Sequence, residues 1–305
     1  MFSYGHGFFM MYIDSFLEYL LLEKKYAKLT IVSYASDLQQ FQVFILETYD
    51  NREMSEVNYP MIRQWIVGFV ELGLTHKTIN RKLSTLKTFF KFLLKIQAID
   101  VTPMAQHKSL KLPKRQQEVF SVLELEKVSD YFEDVTFEGL RDHLIIELLY
   151  ATGMRRQELI DLQLSSLDLK QKQLKVLGKR NKERLIPLLD SISHLIERYL
   201  QQRSVLQPQV SQLFVTSKGK AIYPNLVYRV VHSYFEKVST KKKLSPHLLR
   251  HAFATHLLDK GADISAIKDL LGHSSLASTE VYTHSNFKEL SKAHQAAHPR
   301  SQGKE

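Results

Sequence analysis

Residues 244–284 read LSPHLLRHAFATHLLDKGADISAIKDLLGHSSLASTEVYTH. Ser245 and Pro246 are residue types that begin a helix, and Gly261 is typical of the position just past a helix end. The apolar residues between them recur at helical spacing, which predicts one amphipathic helix followed by a shorter one. The stretch therefore indicates a helical unit in the second half of the chain.

The same stretch carries reactive side chains. His247 and Arg250 are three positions apart, so both project from one face of the predicted helix. Tyr282 follows in a polar, hydroxyl-rich segment, which predicts an exposed tyrosine whose hydroxyl is available for chemistry. His247 and His251 have the spacing of a metal-binding pair, but no third ligand follows at a suitable distance, so a metal site is disfavoured.

Composition limits the classes of protein. A chain of 305 residues predicts two domains, each able to bury a core. Its 42 Lys and Arg against 32 Asp and Glu give a net charge of +10, which favours nucleic acid as the partner. The absence of cysteine excludes disulfides and thiol chemistry. No apolar run reaches the ~18 residues of a membrane span, and the start lacks a secretory signal, so we expect a cytoplasmic protein without a membrane partner.

The first half predicts a helical domain over 11–98, preceded by a flexible extension over 1–10. Apolar residues recur at three and four spacing through four segments. Pro60 suits the first turn of the third helix, and Gly73 suits its end.

The fourth predicted helix has a basic side on which cations alternate with short hydroxyl side chains. This mixture is typical of phosphate contacts, although a solvated basic face has the same composition. The predicted DNA contacts, including one arginine of the second half, are Lys77, Thr78, Arg81, Lys82, Lys87 and Arg229.

The periodicity lapses over 99–120, a basic segment with two prolines that predicts an extended linker. The rest, 121–305, predicts a catalytic domain that is mainly α-helical. Its exception is 168–188, DLKQKQLKVLGKRNKERLIPL, whose alternation predicts a β-hairpin. The predicted fold is mainly α, with a helical domain joined to an α-rich mixed α/β domain that contains a small antiparallel sheet.

The second half lacks the signatures of several enzyme classes. Serine-hydrolase elbows, Walker loops, dinucleotide glycine fingerprints and HExxH are absent, and its acids do not cluster as in two-metal nucleases. What it offers instead are cations and imidazoles, which stabilise negative charge growing on a phosphate. These residues are Arg155, Lys179, His247, Arg250, His251 and His273. With Tyr282 they predict attack of a tyrosine hydroxyl on a DNA phosphodiester, with no metal and no cofactor.

Four segments together resemble the tyrosine recombinase (phage integrase) family, and within it the Xer-type site-specific recombinases. They are ATGMRRQEL at 151–159, LGKRNKERLIPL at 177–188, the stretch 244–284, and KAHQAAHPR at 292–300. The resemblance covers about residues 11–300. It implies a core-binding (SAM-like) domain and a catalytic domain that form a C-shaped clamp on DNA.

The resemblance also implies a reaction and its residues. DNA is cut and rejoined through a 3′-phosphotyrosyl intermediate and a Holliday junction, in chromosome dimer resolution. The implied site consists of Arg155 and Arg250 as phosphate-binding arginines, Lys179 as general acid, His247 as proton acceptor, His273 as donor to the phosphate, Tyr282 as nucleophile and Glu158 as a supporting residue.

Two motifs depart from the family pattern. The hairpin usually reads Gly-Lys-Gly, but here Arg180 replaces the second glycine, and Lys182 competes with Lys179 as the acid. Arg156 follows Arg155 where an apolar residue is more usual, although Arg155 keeps the expected spacing to Glu158.

The implied partners are double-stranded DNA and further recombinase protomers, either identical ones in a cyclic tetramer or a paralogue. An FtsK-like DNA translocase is a further expected partner. The segment 286–298, NFKELSKAHQAAH, is similar to the helix that family members pass to a neighbouring protomer, and its alternative is an amphipathic helix packed on its own domain. Alternative functions are a mobile-element integrase or transposase, a type IB topoisomerase-like enzyme, and a DNA-binding architectural protein.

Overall fold

The chain of the computed structural model divides into two compact units, Met1–Arg115 and Gln116–Glu305. Each unit has its own buried apolar core. The residues that the structure describes are 5–49, 56–112, 118–178, 182–272 and 284–301.

The first unit is built from four helices, as the sequence predicts. They are α1 (Gly5–Leu22), α2 (Lys28–Tyr49), α3 (Tyr59–Glu71) and α4 (His76–Lys95). Phe16, Phe41 and Phe89 are fully buried where these helices meet. The ring of Phe16 packs edge-on against Phe89, and that of Phe41 packs edge-on against Phe90, a favoured geometry for aromatic pairs.

The ends of α3 follow from local chemistry. The Asn58 side chain accepts a hydrogen bond from the Met61 backbone amide, and Pro60 lies in the first turn. Gly73, just past the end of the helix, has a φ of +72°, a left-handed conformation that glycine adopts without strain. The predictions for Pro60 and Gly73 are confirmed.

Two predicted boundaries need correction. Helix α1 begins at Gly5, within the segment 1–10 that the sequence predicts to be a flexible extension. The first half of the predicted linker packs against the first unit: Met104 is buried in its core, and the Asn80 side chain exchanges two hydrogen bonds with the Leu110 backbone. Residues 99–112 are therefore part of that unit.

The second unit contains eight described helices and three strands. The helices are α5 (Val122–Val128), α6 (Phe137–Thr152), α7 (Arg156–Asp161), α8 (Asp190–Val205), α9 (Pro224–Phe235), α10 (Pro246–Asp259), α11 (Ile264–Leu271) and α12 (His284–Ala297). The strands are β1 (Leu167–Asp168), β2 (Gln173–Leu177) and β3 (Glu183–Pro187). Among the described residues, no helix combines the length and apolarity that crossing a membrane would require.

The strands form one antiparallel sheet in the order β1-β2-β3. Leu174 pairs with Ile186, and both side chains are fully buried on the same face. The predicted hairpin and small sheet are confirmed. Residues 179–181 of the hairpin loop lie outside the described residues.

Helix α6 runs through the core and ends at a residue that must be glycine. Gly153 has a φ of +59°, and a Cβ there would come within 2.4 Å of the Phe253 ring. A side chain at this position would force α6 away from α10. The close approach matters because Arg155 follows two residues later.

Candidate phosphate-binding site

Arg155 is held by a carboxylate one helical turn later. Arg155 is the N-cap residue of α7, and its backbone amide donates to Glu158 Oε2 at 2.8 Å. The Arg155 guanidinium donates to Glu158 Oε1 at 2.7 Å. Because one carboxylate binds both the main chain and the side chain, the arginine is strongly oriented. Its side chain remains 31% exposed, which leaves room for a ligand.

Glu158 is anionic in this setting. Its carboxylate is buried, which raises the pKa, but hydrogen bonds from Arg184 and the charge of that arginine outweigh the burial. The net result is a lowered pKa. Glu158 therefore supplies one negative charge at the centre of a cationic site.

Arg250 projects from α10 toward the same region. Its guanidinium is buried and donates to Gly153 O at 2.6 Å and to Leu271 O at 2.8 Å. These bonds join α10 to the ends of α6 and α11. Burial, and then the charge of Arg155, lower the pKa of Arg250 to about 10, so the group is still a cation at neutral pH.

His247 lies on α10 three residues before Arg250 and is exposed. Its ring meets the ring of His251 at a centroid distance of 4.5 Å, edge to face. Burial, followed by the charges of His247 and Arg250, lowers the pKa of His251. The prediction that His247 and Arg250 share one helix is confirmed by the bounds of α10. Ser245 is the N-cap residue as predicted, but its side chain makes no capping hydrogen bond.

Arg184 belongs to the same cluster as Arg155, Glu158 and Arg250. The sequence patterns do not single it out. It is 5% exposed, and its Nη1 and Nη2 donate to the two oxygens of Glu158 at 3.1 and 2.7 Å. Its Nε donates to Leu270 O at 2.9 Å. The alternation of β3 contains the missed signal, because Arg184 shares the buried face of Ile186 and a buried arginine needs hydrogen-bond acceptors around it.

The structure thus gathers part of the predicted site. Arg155, Glu158 and Arg250 lie together, and His247 is on the same helix as Arg250. Lys182, the alternative acid, is exposed immediately before β3. Lys179, His273 and Tyr282 lie outside the described residues.

The predicted DNA contacts on α4 fall into two groups. Lys77, Arg81 and Lys87 are exposed, and Thr78 is half-buried in the first turn. Lys82 is only 6% exposed, and its ammonium donates to Asp37 at 3.0 Å and to Gln40 at 2.6 Å. This contradicts the prediction that Lys82 contacts DNA, because residue 82 faces inward with the apolar residues of α4.

Asp37 organises this part of the first unit. It is 1% exposed and accepts hydrogen bonds from Arg81, Lys82 and Thr85. Burial raises the pKa of Asp37, but the hydrogen bonds from Arg81 and Lys82 lower it by a larger amount. The net pKa is lowered, so the carboxylate is charged. Two cations share this one anion, and of the two only Arg81 is exposed. In the second unit, Arg229 is exposed and donates to the Tyr223 hydroxyl.

These environments predict different effects for two neighbouring lysines. Replacing Lys77 by glutamine is expected to reduce the slope of log affinity against log salt by about 0.9, because one phosphate contact is lost. Lys82→Gln is expected to leave the slope unchanged and to destabilise the first unit by about 3 kcal/mol, because Asp37 loses a buried partner. Fluorescence anisotropy over a salt series and urea unfolding measure the two effects. An equal change of slope in both variants would contradict the assignment.

Helix α12 packs on its own unit, against β3, α10 and α11. His294 Nε2 donates to Ala151 O at 2.8 Å, and His298 Nε2 lies 3.3 Å from Tyr150 O. Arg300 extends this contact by donating to Glu147 at 2.6 Å. The chain thus shows the alternative arrangement of this segment, in which it covers its own domain, and exchange between protomers stays a prediction.

Acidification is expected to loosen α12. Burial lowers the pKa of His294 to about 4 against an ordinary value of 6.5, and His298 shifts in the same direction. Because each histidine has a lower pKa in the folded protein than in the unfolded chain, its contribution to stability is fully present above the unfolded pKa. That contribution is lost as the pH falls toward the folded pKa. From pH 7 to pH 5 the His294 contribution alone drops by about 2 kcal/mol.

Hydrogen exchange of the α12 peptides at the two pH values measures this loosening. The protection factor, which is the intrinsic exchange rate at each pH divided by the observed rate, is expected to fall from pH 7 to pH 5. This fall should be smaller in His294→Gln, which does not titrate. A matched control is His194→Gln, since His194 is exposed on α8. Equal protection of α12 at both pH values in the unmodified protein would contradict the prediction.

Taken together, the cluster defines a class of protein. Guanidinium groups around one anchoring carboxylate, next to an exposed imidazole, are donors of the kind that can bind and polarise a phosphate diester. Such a cluster is typical of an enzyme that transfers phosphoryl groups and stabilises the developing charge with its own cationic side chains.

Comparison with known proteins identifies the family. The model of the phage integrase family matches residues 119–289, and that of the phage integrase N-terminal SAM-like domain matches residues 13–97. Tyrosine recombinase XerC of Bacillus licheniformis is 37% identical, over 95% of this chain and 97% of that protein. Tyrosine recombinase XerC of Staphylococcus carnosus is also 37% identical, over 94% and 97%.

Solved structures show the same fold. A XerH site-specific recombinase bound to palindromic difH substrate has a TM-score of 0.69 and 24% identity, covering 87% of this chain and 79% of that one. A lambda integrase tetramer bound to a Holliday junction has a TM-score of 0.68 and 17% identity, covering 90% and 80%. The chain belongs to the phage integrase family. It is a tyrosine recombinase, an enzyme of site-specific DNA recombination, and the predicted family, fold class and enzyme class are confirmed.

Proposed function

We propose that this recombinase resolves chromosome dimers in the cytoplasm by cutting and rejoining two DNA duplexes. The observation that carries the proposal is the cluster in which Glu158 orients Arg155 beside the buried Arg250. The likeness to XerC proteins over nearly the whole chain supports the chromosomal role. In this proposal the segment 11–98 binds DNA, and the segment 121–305 performs the chemistry.

The proposed reaction is an in-line displacement at phosphorus. The Tyr282 oxygen forms a bond to the scissile phosphate while the bond to the 5′-oxygen breaks, leaving a 3′-phosphotyrosyl ester. His247 accepts the phenol proton, and Lys179 gives a proton to the departing oxygen. Because the ester keeps the energy of the broken bond, the second strand can be joined without ATP.

The arginines stabilise the charge that develops during this step. Two non-bridging oxygens carry extra negative charge in the transition state, and a guanidinium presents donors at matching separation. Arg155 and Arg250 are assigned to these oxygens, with His273 as a further donor. Each preorganised donor in a water-excluded site contributes roughly 3 kcal/mol to the barrier reduction.

Assembly on DNA completes the proposal. Four protomers bind two sites in a cyclic arrangement, formed with identical copies or with a paralogous recombinase. The segment carrying α12 passes to the neighbouring protomer, as the resemblance of 286–298 implies. A DNA translocase of the FtsK-like class supplies regulation in the cell.

Covalent trapping tests the proposed chemistry. Genomic fragments that the protein retains define a binding duplex, which is then labelled and nicked at successive positions so that a cut strand diffuses away. In EDTA, a denaturant-resistant adduct between protein and DNA is the expected product. Stable binding without any adduct at every nick position, including in the presence of a second recombinase from the same source, would contradict the proposal.

A further inference from the structure

Arg184 has no role in the reaction described above, yet it contacts both Glu158 and the end of α11. Arg184 is on β3, in the same hairpin as the loop that contains Lys179. All three of its donor nitrogens are engaged: two bind the carboxylate of Glu158, and the third binds Leu270 O. Each guanidinium nitrogen thus donates one hydrogen bond, in a position that is 5% exposed.

The partners of Arg184 belong to three different segments. Through Glu158 it reaches Arg155. Through Leu270 it holds the end of α11, and a Cβ on Gly272 would lie 3.1 Å from Arg184 Cδ. Gly272 is the last described residue before the stretch 273–283, which contains His273 and Tyr282. Arg184 therefore lies against the chain where that stretch begins.

The third segment is the base of the hairpin. The Gly178 amide donates to Lys182 O at 2.8 Å and closes the loop that contains Lys179. A Cβ on Gly178 would lie 3.6 Å from Arg184 Nη1 and 3.7 Å from Glu158 Oε1. The loop therefore begins directly on the pair of Arg184 and Glu158.

We propose that Arg184 is a positioning residue of the strand-transfer reaction, which holds Glu158, the hairpin base and the chain before His273 in one register. The inference rests on the proposed function of the site. Arg184 acts through these neighbours and is not assigned to the DNA itself.

The charges explain why a second arginine is needed. Glu158 is shared, since Oε1 accepts from both Arg155 and Arg184, while Oε2 accepts from Arg184 and the Arg155 amide. With Arg184 in place, only one guanidinium nitrogen of Arg155 is bound by the carboxylate. Without it, Glu158 is free to rotate into a two-point pair with Arg155, which would withdraw that cation from a phosphate.

The chain offers a matched control in Arg203. This arginine of α8 is equally buried, at 7% exposure, and its three hydrogen bonds go to the backbone oxygens of Val210, Gln212 and Leu213. None of these partners belongs to the site. A purely structural role for Arg184 would make the two arginines behave alike.

The test measures single-turnover cleavage of the nicked duplex at saturating protein. Arg184→Lys keeps the charge but cannot bind both Glu158 oxygens and Leu270 O, so the rate is expected to fall by about 100-fold, as small displacements of reacting groups do. DNA affinity is expected to stay unchanged. Arg203→Lys is expected to cleave at the unmodified rate once its folded fraction, measured by circular dichroism, is taken into account.

A double substitution separates positioning from general damage. Because Arg184 acts largely through Glu158, Glu158→Gln combined with Arg184→Lys is expected to lose about as much as either change alone, instead of the product of the two. Wild-type cleavage by Arg184→Lys, equal losses in the Arg184 and Arg203 variants, or multiplicative losses in the double variant would each overturn the inference. Failure of the unmodified protein to cleave the duplex would instead refute the proposed function.

Discussion

Tyr282→Phe is expected to abolish strand cleavage and to leave DNA binding intact. The substitution removes the single oxygen that forms the bond to phosphorus and changes nothing else in the side chain. Loss of a nucleophile lowers an enzymatic rate by about 10⁶-fold, so no adduct should be detectable on the time scale of the assay. The prediction is checked with the nicked duplex, by comparing adduct yield with the affinity measured by anisotropy.

The matched control for this substitution is Tyr228→Phe. Tyr228 lies on α9, is exposed and is not part of the proposed site. Its variant should form adduct at the unmodified rate. Residual adduct in Tyr282→Phe above the level of a DNA-only reaction would assign the nucleophile to another residue.

Arg250→Gln is expected to lower the cleavage rate by about 10³-fold, the upper range for removal of one preorganised donor. The substitution also removes bonds to Gly153 O and Leu271 O, so a lower melting temperature is expected. Since the pKa of Arg250 is lowered to about 10 by burial and by the charge of Arg155, the arginine stays charged from pH 6 to pH 8, and its charge gives the cleavage rate no pH dependence there.

Two measurements separate these contributions. Thermal unfolding gives the folded fraction of the Arg250 variant, and single-turnover cleavage at saturating protein gives the rate for the folded molecules. Arg198→Gln is the control, because Arg198 is exposed and its ion pair is with Asp134, which lies outside the proposed site. A cleavage rate for Arg250→Gln within about threefold of the control would contradict the assignment to the phosphate, since one donor of this kind contributes at least 10²-fold.

Much of the fold follows from patterns that act over short distances. The hairpin is predictable because Leu174, Val176 and Ile186 alternate with polar residues, and the structure buries all three. The start of α3 is predictable because Pro60 satisfies a local requirement for helix initiation. Such features depend on neighbours in sequence and not on the tertiary arrangement.

The errors occur where a distant partner decides the outcome. The sequence pattern places Lys82 on a basic surface, but Asp37, 45 residues earlier, provides the charge that allows its burial. Arg184 was missed for the same reason, because its carboxylate partner lies 26 residues before it. A buried cation is identifiable from sequence only when helix or strand periodicity places it on the apolar face and a partner is known.

The predicted site is likewise partly recovered. Arg155 and Glu158 were paired by spacing, and the structure adds the reason, a carboxylate that binds both the backbone and the guanidinium. The contact of Arg250 with Gly153 joins residues 97 positions apart, which no spacing rule predicts. The roles of Lys179, His273 and Tyr282 stay predictions.

The assignment of Tyr282 as the nucleophile is tested by identifying the residue that becomes linked to DNA. Trypsin releases the segment 269–288 as one peptide, in which Tyr282 is the only tyrosine among several serines and threonines. After adduct formation in EDTA and digestion of the DNA, mass spectrometry is expected to find this peptide with a nucleotide attached through its 3′-phosphate to Tyr282. A nucleotide on a serine or threonine of the same peptide, or on any other peptide, would contradict the account.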